Sequence, residues 1–187
     1  ISDPRFLRVI DSSIAPVNTA LGVLGMPSMT AYFGLLDVGK PVPGETVVVS
    51  AASGAVGQIV GQIAKIMGCR VVGIVGSEDK KSYIIDDLGF DHSINYKKSN
   101  ISEELKLFCP DGIDVYFDNV GGEITDIVLE QINVGARISV CGQISQYNLQ
   151  EPELAKRNMY HLIKKQAVMQ GFLVFQFANR YEEARKR

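Results

Sequence analysis

Short apolar runs alternate along the chain with segments whose apolar residues recur every three or four positions. The run 45–51 (ETVVVSA) is rich in β-branched residues and lies between Gly44 and a glycine-rich turn, which predicts a buried parallel strand. From Gly57, apolar residues recur at helical spacing as far as Met67, and Gly68 follows where a helix commonly ends. The pattern therefore predicts a strand, a tight turn and a helix in this order.

The same alternation continues to the end of the chain. The predicted strands after the first are 70–76, 92–96, 113–122 with a Gly-Gly turn at its end, one that begins near Arg137, and 171–177. The predicted helices are 77–89 with Ser77 as N-cap and Gly89 after the last turn, then 102–110, 123–132, 153–166 and one from 179. Two successive βαβαβ halves predict an α/β fold, a doubly wound, mostly parallel sheet (Rossmann fold) with flanking helices.

The first 43 residues stand outside this alternation. They contain one clear helical pattern at 28–38, which Gly39 and Pro41 end. We expect this helix to pack on the sheet where the chain enters it.

Composition narrows the class of protein. The 187 residues are 46% hydrophobic and carry a formal net charge of −2, so nothing favours nucleic acid or an anionic membrane as partner. No apolar stretch reaches the length of about 20 residues that spans a bilayer, and the N-terminus lacks the pattern of a signal peptide. Cys69, Cys109 and Cys141 are scattered, and the two histidines have no ligand spacing. This usage favours reduced thiols in a cytoplasmic protein and predicts no metal site.

The turn after the first strand has the spacing A-x-x-G-x-x-G, formed by Ala51, Gly54 and Gly57. Without a Cβ at Gly54, backbone N–H groups can approach a pyrophosphate, and the positive end of the next helix faces that anion. The alternative is a strand-to-helix turn whose glycines serve packing alone. Gly61, further along the helix, lets the helix lie close to the sheet. The position between a strand and a helix favours the phosphate-binding interpretation.

The end of the second strand indicates which dinucleotide is bound. NAD-binding proteins of this class place Asp or Glu there to bond the ribose 2′-OH, whereas this chain has Gly76 and Ser77. These residues leave room for a 2′-phosphate, and Lys80 or Lys81 can pair with it, which favours NADP. Alternatively the two lysines only solvate a helix start, and the nearby Glu78 weighs against a pure phosphate site.

Two further segments lie at the predicted carboxyl edge of the sheet, where ligands of doubly wound folds bind. The first contains Asn119, with amide donor and acceptor groups, followed by a Gly-Gly turn. The second contains Cys141, more often a buried apolar residue than a nucleophile, and Tyr147. The phenol of Tyr147 carries an exchangeable proton that can serve near a nicotinamide, although a tyrosine that only packs on a loop is the alternative.

Together these segments resemble the zinc-independent medium-chain dehydrogenase/reductases, in the branch of the leukotriene/prostaglandin reductases, plant 2-alkenal double-bond reductases and bacterial curcumin-type reductases. The resemblance rests on motifs in order over nearly the whole chain: LGMPSMTAYFGL, VVVSAASGAVG, GCRVVGIVGSEDK, INYK, VYFDNVGG and CGQISQYN. It implies NADPH-dependent reduction of the C=C bond of α,β-unsaturated ketones or aldehydes. It also implies a possible homodimer through the apolar edge at 171–177.

By position, the resemblance also implies a set of site residues. Those that bind the cofactor would be Gly54, Ala55, Val56, Gly57, Gly76, Ser77, Lys80, Tyr96, Asn119, Cys141, Gly142, Gln143, Ile144, Ser145, Gln146, Tyr147, Phe172, Leu173 and Val174. In the family's pattern, Lys80 holds the 2′-phosphate and Tyr96 lies on the adenosine side. Tyr147 would hold the nicotinamide ribose and support protonation, which makes it the implied catalytic residue.

Members of this family carry a GroES-like catalytic domain before this segment and further chain after it. The resemblance therefore implies that 1–43 is an interdomain segment with an entry helix and that 44–187 is the NADP-binding domain alone. A quinone or alcohol reductase of the same superfamily, and a non-catalytic NADP-binding module, remain alternatives. A methyltransferase is disfavoured because the second strand does not end in an acid.

Overall fold

The computed structural model describes residues 9–151, 154–155 and 158–186. Within these residues six strands form one sheet: β1 (Thr46–Ser50), β2 (Arg70–Val75), β3 (His92–Asn95), β4 (Ile113–Asp118), β5 (Ile132–Val140) and β6 (Val168–Gly171). Their order is β3-β2-β1-β4-β5-β6, and every pair of neighbours is parallel. The prediction of a doubly wound parallel sheet is confirmed.

Helices connect the strands. Those of the described residues are α1 (Met26–Phe33), α2 (Gly57–Ile66), α3 (Glu78–Ser82), α4 (Ile101–Phe108), α5 (Gly122–Leu129), α6 (Tyr160–Lys164) and α7 (Tyr181–Arg185). π-Helical turns extend α1 over Gly34–Gly39 and α3 over Tyr83–Asp87, and 3₁₀ turns occupy Val17–Leu21 and Val174–Arg180. None of the helices in the described part of the chain is long and apolar enough to cross a membrane.

The two faces of the sheet carry separate apolar cores. On the first face, Val47 and Val49 of β1 pack with Val60 and Ala64 of α2 and with the entry helix through Leu35. This contact confirms that the entry helix packs on the sheet.

On the second face, Val48 packs with α4 through Leu105 and with α5 through Ile124 and Val128. Because successive residues of a strand point to opposite faces, one β-branched run supplies both cores. The connection after β1 therefore runs over the first face, and the connection after β4 runs over the second.

Several predicted helix boundaries are confirmed. The Ser77 hydroxyl accepts from the Lys80 N–H at 3.4 Å and caps α3, while Gly68 and Gly89 end their helices with φ of +80° and +72°. The entry helix starts two residues before the predicted position because Pro27 fits its first turn, and it ends at Gly39 as predicted.

The prediction of a strand at 171–177 is wrong. β6 comes earlier, at Val168–Gly171, because it pairs with β5 only as far as the end of that strand. After Gly171, Phe172 packs against Phe117, and the 3₁₀ helix that begins at Val174 stacks Phe177 on Phe33 with centroids 4.7 Å apart. Val174 and Phe177 therefore pack in the interior from a helical turn and not from a strand.

Other boundaries are also corrected. The helix predicted at 123–132 ends at Leu129, and β5 begins at Ile132, five residues before Arg137. β5 shifts register relative to β4, and Gly135 within it has a φ of +78°. The apolar pattern of the sequence is therefore irregular in this part of the strand and did not indicate its start. Of the helix predicted at 153–166, the described residues contain α6, whereas 152–153 and 156–157 lie outside the described residues.

Close packing of α2 on the chain before β3 generates a stability prediction. A Cβ added at Gly61 would lie 1.9 Å from the ring of Phe90, which is 3% exposed. Although alanine favours helix over glycine, we expect Gly61→Ala to lower the free energy of unfolding by about 1–2 kcal/mol, because overpacking outweighs propensity. Chemical denaturation measures this change.

The matched control is Gln62→Ala, one position along the same helix at an exposed site. It should leave the free energy of unfolding nearly unchanged. The double variant with Phe90→Leu should recover part of the loss, since a smaller side chain makes room for the added methyl group. A stable Gly61→Ala variant would show that α2 does not depend on this close approach.

Candidate functional site

The carboxyl edge of the sheet opens into a crevice between β1 and β4, where the two connections leave for opposite faces. A cavity of about 910 Å³ opens at this crevice, and a second cavity of about 590 Å³ lies at the ends of β5 and β6. We call the larger one the first cavity, and the smaller one the second cavity. Binding sites of doubly wound sheets occupy this position, where the strand order reverses.

The turn between β1 and α2 forms one wall of the first cavity. Its lining residues there are Ala51, Ser53 and Gly54. Ala51 has a φ of +48°, and its carbonyl accepts the Gly54 N–H at 2.9 Å, which curls the chain back before α2. The N–H groups of Gln58, Ile59 and Val60 are bonded to carbonyls of this turn, so of the turn and helix start it is Ala51, Ser53 and Gly54 that border the cavity.

The predicted members of this turn divide into two groups. Gly54 borders the first cavity, whereas a Cβ at Gly57 would lie 2.5 Å from the Ala51 carbonyl oxygen, so Gly57 serves packing. Val56 packs against the core of the first face, and neither it nor Ala55 lines a cavity. Gly57 therefore fits the packing interpretation, whereas contact of Gly54 with a phosphate stays a prediction.

The opposite wall of the first cavity comes from the ends of β2 and β3. Gly76, Lys80, Tyr96 and Lys97 line it. A Cβ at Gly76 would lie 3.1 Å from the Tyr96 ring, so the glycine keeps the space beside that ring open. Ser77 lies outside the wall and caps α3.

Glu78, which weighed against a phosphate site, is held away from this wall. Its carboxylate accepts the Asn95 amide at 2.5 Å and lies 3.8 Å from Lys81 and 4.0 Å from Lys98. The hydrogen bond from Asn95, helped by the two lysines, lowers the pKa of Glu78. Lys80, by contrast, forms no ion pair with any described residue.

The charge of the first cavity is mixed. Lys80 and Lys97 face it from the ends of β2 and β3, and the Lys97 ammonium lies 5.9 Å from the Tyr96 ring centroid. Glu123 and Glu151 line the side beyond β4. An anionic ligand would therefore be favoured near the two lysines.

Asn119 joins β4 to β1. Its side-chain amide donates to the Ser50 carbonyl at 2.8 Å, and its N–H donates to the Ser50 hydroxyl at 2.9 Å. Asn119 lines neither cavity, so its role in binding a cofactor stays a prediction, and its contacts in this structure fix the two strand ends.

The loop 141–147 separates the two cavities. Ile144, Ser145 and Gln146 face the first cavity, whereas the remaining four residues face the second: Cys141, Gly142, Gln143 and Tyr147. The Tyr147 hydroxyl accepts the Gln143 N–H at 2.9 Å, which folds the ring back over the loop.

The chain after β6 forms the far wall of the second cavity. Phe172 and Leu173 line it, and their contact with a cofactor stays a prediction, but Val174 is 8% exposed and packs in a small core with Phe33 and Met29. Val174 therefore supports the wall from behind.

Sequence reasoning missed several lining residues. Phe175 and Gln176 line the second cavity and were assigned to a strand, while Ser53, Lys97, Leu149, Gly121 and Gly122 line the first. Lys97 had a usable signal, because it follows Tyr96 directly and carries a second positive charge.

Burial sets the chemistry of the thiol in the second cavity. Desolvation, with the negative charge of Asp118, raises the pKa of Cys141 to about 11. A protonated thiol is a weak nucleophile, which agrees with the interpretation of Cys141 as a small apolar residue. The described residues contain no cluster of His, Cys, Asp and Glu that could hold a metal ion.

Comparison with known proteins identifies the family of this chain. A family described as zinc-binding dehydrogenase matches residues 55–187. A 2-alkenal reductase (NADP(+)-dependent) of Nicotiana tabacum is 49% identical over 182 residues, 97% of this chain and 53% of the relative. Prostaglandin reductase 1 of Rattus norvegicus is 50% identical over 178 residues, 93% of this chain and 54% of the relative.

The crystal structure of CurA from Vibrio vulnificus in complex with NADPH superposes with a TM-score of 0.86 at 49% identity, covering 92% of this chain and 53% of that one. The chain therefore belongs to this dehydrogenase family, in the branch of zinc-independent medium-chain reductases that the sequence resembled. It spans about half the length of the curated relatives it matches.

The raised pKa of Cys141 generates a prediction about reactivity. We expect alkylation of this thiol by iodoacetamide to be slow at neutral pH and to accelerate about tenfold per pH unit up to about pH 10, because the thiolate fraction grows until the pKa is reached. Mass spectrometry of the peptide that contains Cys141 measures the rate.

A short unstructured peptide with one cysteine is the control, and its rate should level off above its ordinary pKa of about 8.5. A Cys141 rate that levels off in the same range would contradict the effect of burial.

Proposed function

We propose that this chain is the cofactor-binding part of an NADPH-dependent ene reductase, which reduces the C=C bond of α,β-unsaturated ketones or aldehydes. The observation that carries the proposal is the divided cleft, with Lys80 in one cavity and Tyr147 in the other. The names of the relatives, among them a 2-alkenal reductase and a (+)-pulegone reductase, support this substrate class.

The residues of the cleft fit NADPH. Gly54 and Gly76 leave open the two places where a side chain would meet a pyrophosphate or an adenosine, and the positive end of α2 would favour the pyrophosphate beside Gly54. Lys80 is placed to pair with the 2′-phosphate, and Tyr96 offers its ring to the adenosine. The loop 141–147, with Phe172 and Leu173, would hold the nicotinamide in the second cavity.

In this proposal the bound NADPH supplies the hydride that reaches the β-carbon of the enone. The chain itself contributes orientation and a proton donor. The Tyr147 hydroxyl accepts the Gln143 N–H, and in this proposal its O–H group holds the nicotinamide ribose or delivers the proton that the α-carbon needs. Phe172 and Leu173 give this end of the cleft an apolar wall.

The proposal also covers the domain organisation, the location and the oligomeric state of the protein. Residues 1–43 would be the interdomain segment and entry helix, and 44–187 the NADP-binding domain of a longer cytoplasmic protein. A GroES-like domain would complete the substrate cleft, which agrees with relatives about twice as long as this chain. A homodimer would form at the edge of the sheet, where Val168 of β6 is 57% exposed.

A second candidate function is a quinone reductase of the same superfamily. The structure of Escherichia coli quinone oxidoreductase complexed with NADPH superposes with a TM-score of 0.76, but at 22% identity this likeness shows the fold alone. A non-catalytic NADP-binding module is the third candidate. Reduction of an enone by the intact polypeptide that carries this chain distinguishes all three.

The position of Lys80 predicts a preference for NADPH over NADH. Replacing Lys80 by alanine should weaken NADPH binding by about 1.5–3 kcal/mol, the range for a hydrogen bond to a charged group, and leave NADH binding unchanged. Fluorescence titration of both cofactors against both proteins measures the four dissociation constants.

The neighbouring variant Lys81→Ala is the matched control, because Lys81 lies beside Glu78 and does not line the cavity. It should bind NADPH nearly as the wild type does. Equal wild-type affinities for NADPH and NADH would overturn the assignment of the cofactor.

We expect removal of the Tyr147 hydroxyl to lower the rate of enone reduction with little effect on NADPH binding. In the intact polypeptide, Tyr147→Phe should bind NADPH normally and reduce enones about 10²–10⁴-fold more slowly if the phenol is the proton donor. A hydroxyl that only orients the ribose should cost less. Steady-state kinetics with a simple enone measures kcat and KM.

Tyr160→Phe, on α6 away from both cavities, is the control and should keep the wild-type rate. The 187-residue chain alone should show negligible turnover, because no second domain closes the cleft against water. Unchanged kcat in Tyr147→Phe would remove this residue from the mechanism.

A further inference from the structure

We propose that the buried carboxylate of Asp118 is the positioning residue of this site: it fixes the segment 118–121, and through it the loop that carries Tyr147. The inference rests on the proposed function for its effect on catalysis. Its effect on the loop itself can be measured independently of any activity.

Asp118, the last residue of β4, is only 1% exposed. Its carboxylate is surrounded by hydrogen-bond donors. Oδ1 accepts from the Tyr116 hydroxyl at 3.0 Å, the Val120 and Gly121 N–H groups at 2.9 Å each, and the Ser50 hydroxyl at 3.3 Å, while Oδ2 accepts from the Thr125 hydroxyl at 2.7 Å.

No cation among the described residues pairs with Asp118. A buried carboxylate without a counter-ion is costly unless donors surround it, so these contacts account for its presence. Burial and the charge of Asp118 raise the pKa of Tyr116 well above its usual range, so this phenol stays protonated and donates. The cluster is therefore built around one acceptor group, the carboxyl group of Asp118.

Two of the donors are backbone N–H groups of the crevice. Val120 and Gly121 both line the first cavity, and Gly121 has a φ of +71° at the start of α5. A carboxylate accepts such groups more strongly than a neutral oxygen does. Asp118 thus fixes the conformation in which β4 ends and α5 begins.

The loop 141–147 is hydrogen-bonded to this same segment. The Asp118 carbonyl accepts the Cys141 and Gly142 N–H groups at 2.8 and 3.1 Å. The next two carbonyls accept from the loop as well: that of Asn119 from the Ile144 N–H at 3.2 Å, and that of Val120 from the Ser145 hydroxyl at 2.6 Å.

Tyr147 is in turn tied to this loop by the Gln143 N–H. A shift of segment 118–121 would therefore move the loop between the two cavities and the phenol with it. A misplacement of about 1 Å at a reacting group can cost about a hundredfold in rate.

Two substitutions grade the effect. Asp118→Asn keeps one carbonyl oxygen for the Val120 and Gly121 N–H groups and turns an amide toward the Thr125 hydroxyl, which can accept it. Asp118→Ala removes the acceptor altogether. We expect hydrogen exchange in loop 141–147 to rise about tenfold in the asparagine variant and further in the alanine variant.

In the intact polypeptide we expect kcat for enone reduction to fall about tenfold in Asp118→Asn and about a hundredfold in Asp118→Ala. The dissociation constant for NADPH should rise in the same order, because Val120 and Gly121 line its cavity. The KM for the enone should change least.

Thr125→Val is the matched control. It removes the one donor to Oδ2 and leaves the contacts of Oδ1 to the backbone intact. It should lower the melting temperature while keeping loop exchange, kcat and the NADPH dissociation constant within about twofold of the wild type. A role in stability alone would instead make the control and Asp118→Asn lose activity in proportion to their loss of melting temperature.

Loop exchange decides the inference. Wild-type exchange in a folded Asp118→Asn variant would overturn it, whatever the activity and whether or not Asp118→Ala folds. Faster loop exchange with an unchanged kcat would overturn the catalytic part. If the wild type neither binds NADPH nor reduces an enone, the proposed function fails, while a loop that loosens in Asp118→Asn alone still supports the positioning role.

Discussion

The adjacency of β1 and β4 is the constraint on which the site depends. Because their connections leave over opposite faces of the sheet, the carboxyl ends of these two strands cannot be covered by the same helix, and a crevice remains. The Ser50–Asn119 hydrogen bonds hold the two strand ends together at its floor. An elongated ligand whose two ends contact different halves of the fold can bind at this place.

Packing and binding are assigned to different residues of the same motifs. In the turn after β1, Gly57 permits the close approach of α2, while Gly54 leaves the cavity open. After β4, Asn119 fixes the strand ends, and the glycines that follow it line the cleft. A motif that marks a binding site thus contains residues whose substitution would damage the fold before it damaged the site.

The alternation of apolar runs predicted the parallel sheet, the entry helix and the N-cap at Ser77, because these depend on local spacing and on one buried face. It failed at β6, because the end of pairing with β5, and not the apolar run itself, decides where that strand stops. Lys80 was predicted from the residues that follow β2 and Tyr96 from the family resemblance, and both line the first cavity, while their contacts with a cofactor stay predictions. The buried role of Asp118 was not, since nothing local shows that donors from β1, β4 and α5 converge on one carboxylate.

The central claim is that one NADPH molecule spans both cavities, with its adenosine phosphate at Lys80 and its nicotinamide beside Tyr147. A crystal structure of the intact polypeptide with NADP⁺ tests this most directly. We expect the 2′-phosphate within hydrogen-bonding distance of the Lys80 ammonium, the pyrophosphate over the turn 51–57, and the nicotinamide against Tyr147 and Phe172. A nicotinamide ring outside the second cavity, or a 2′-phosphate that does not contact Lys80, would contradict it.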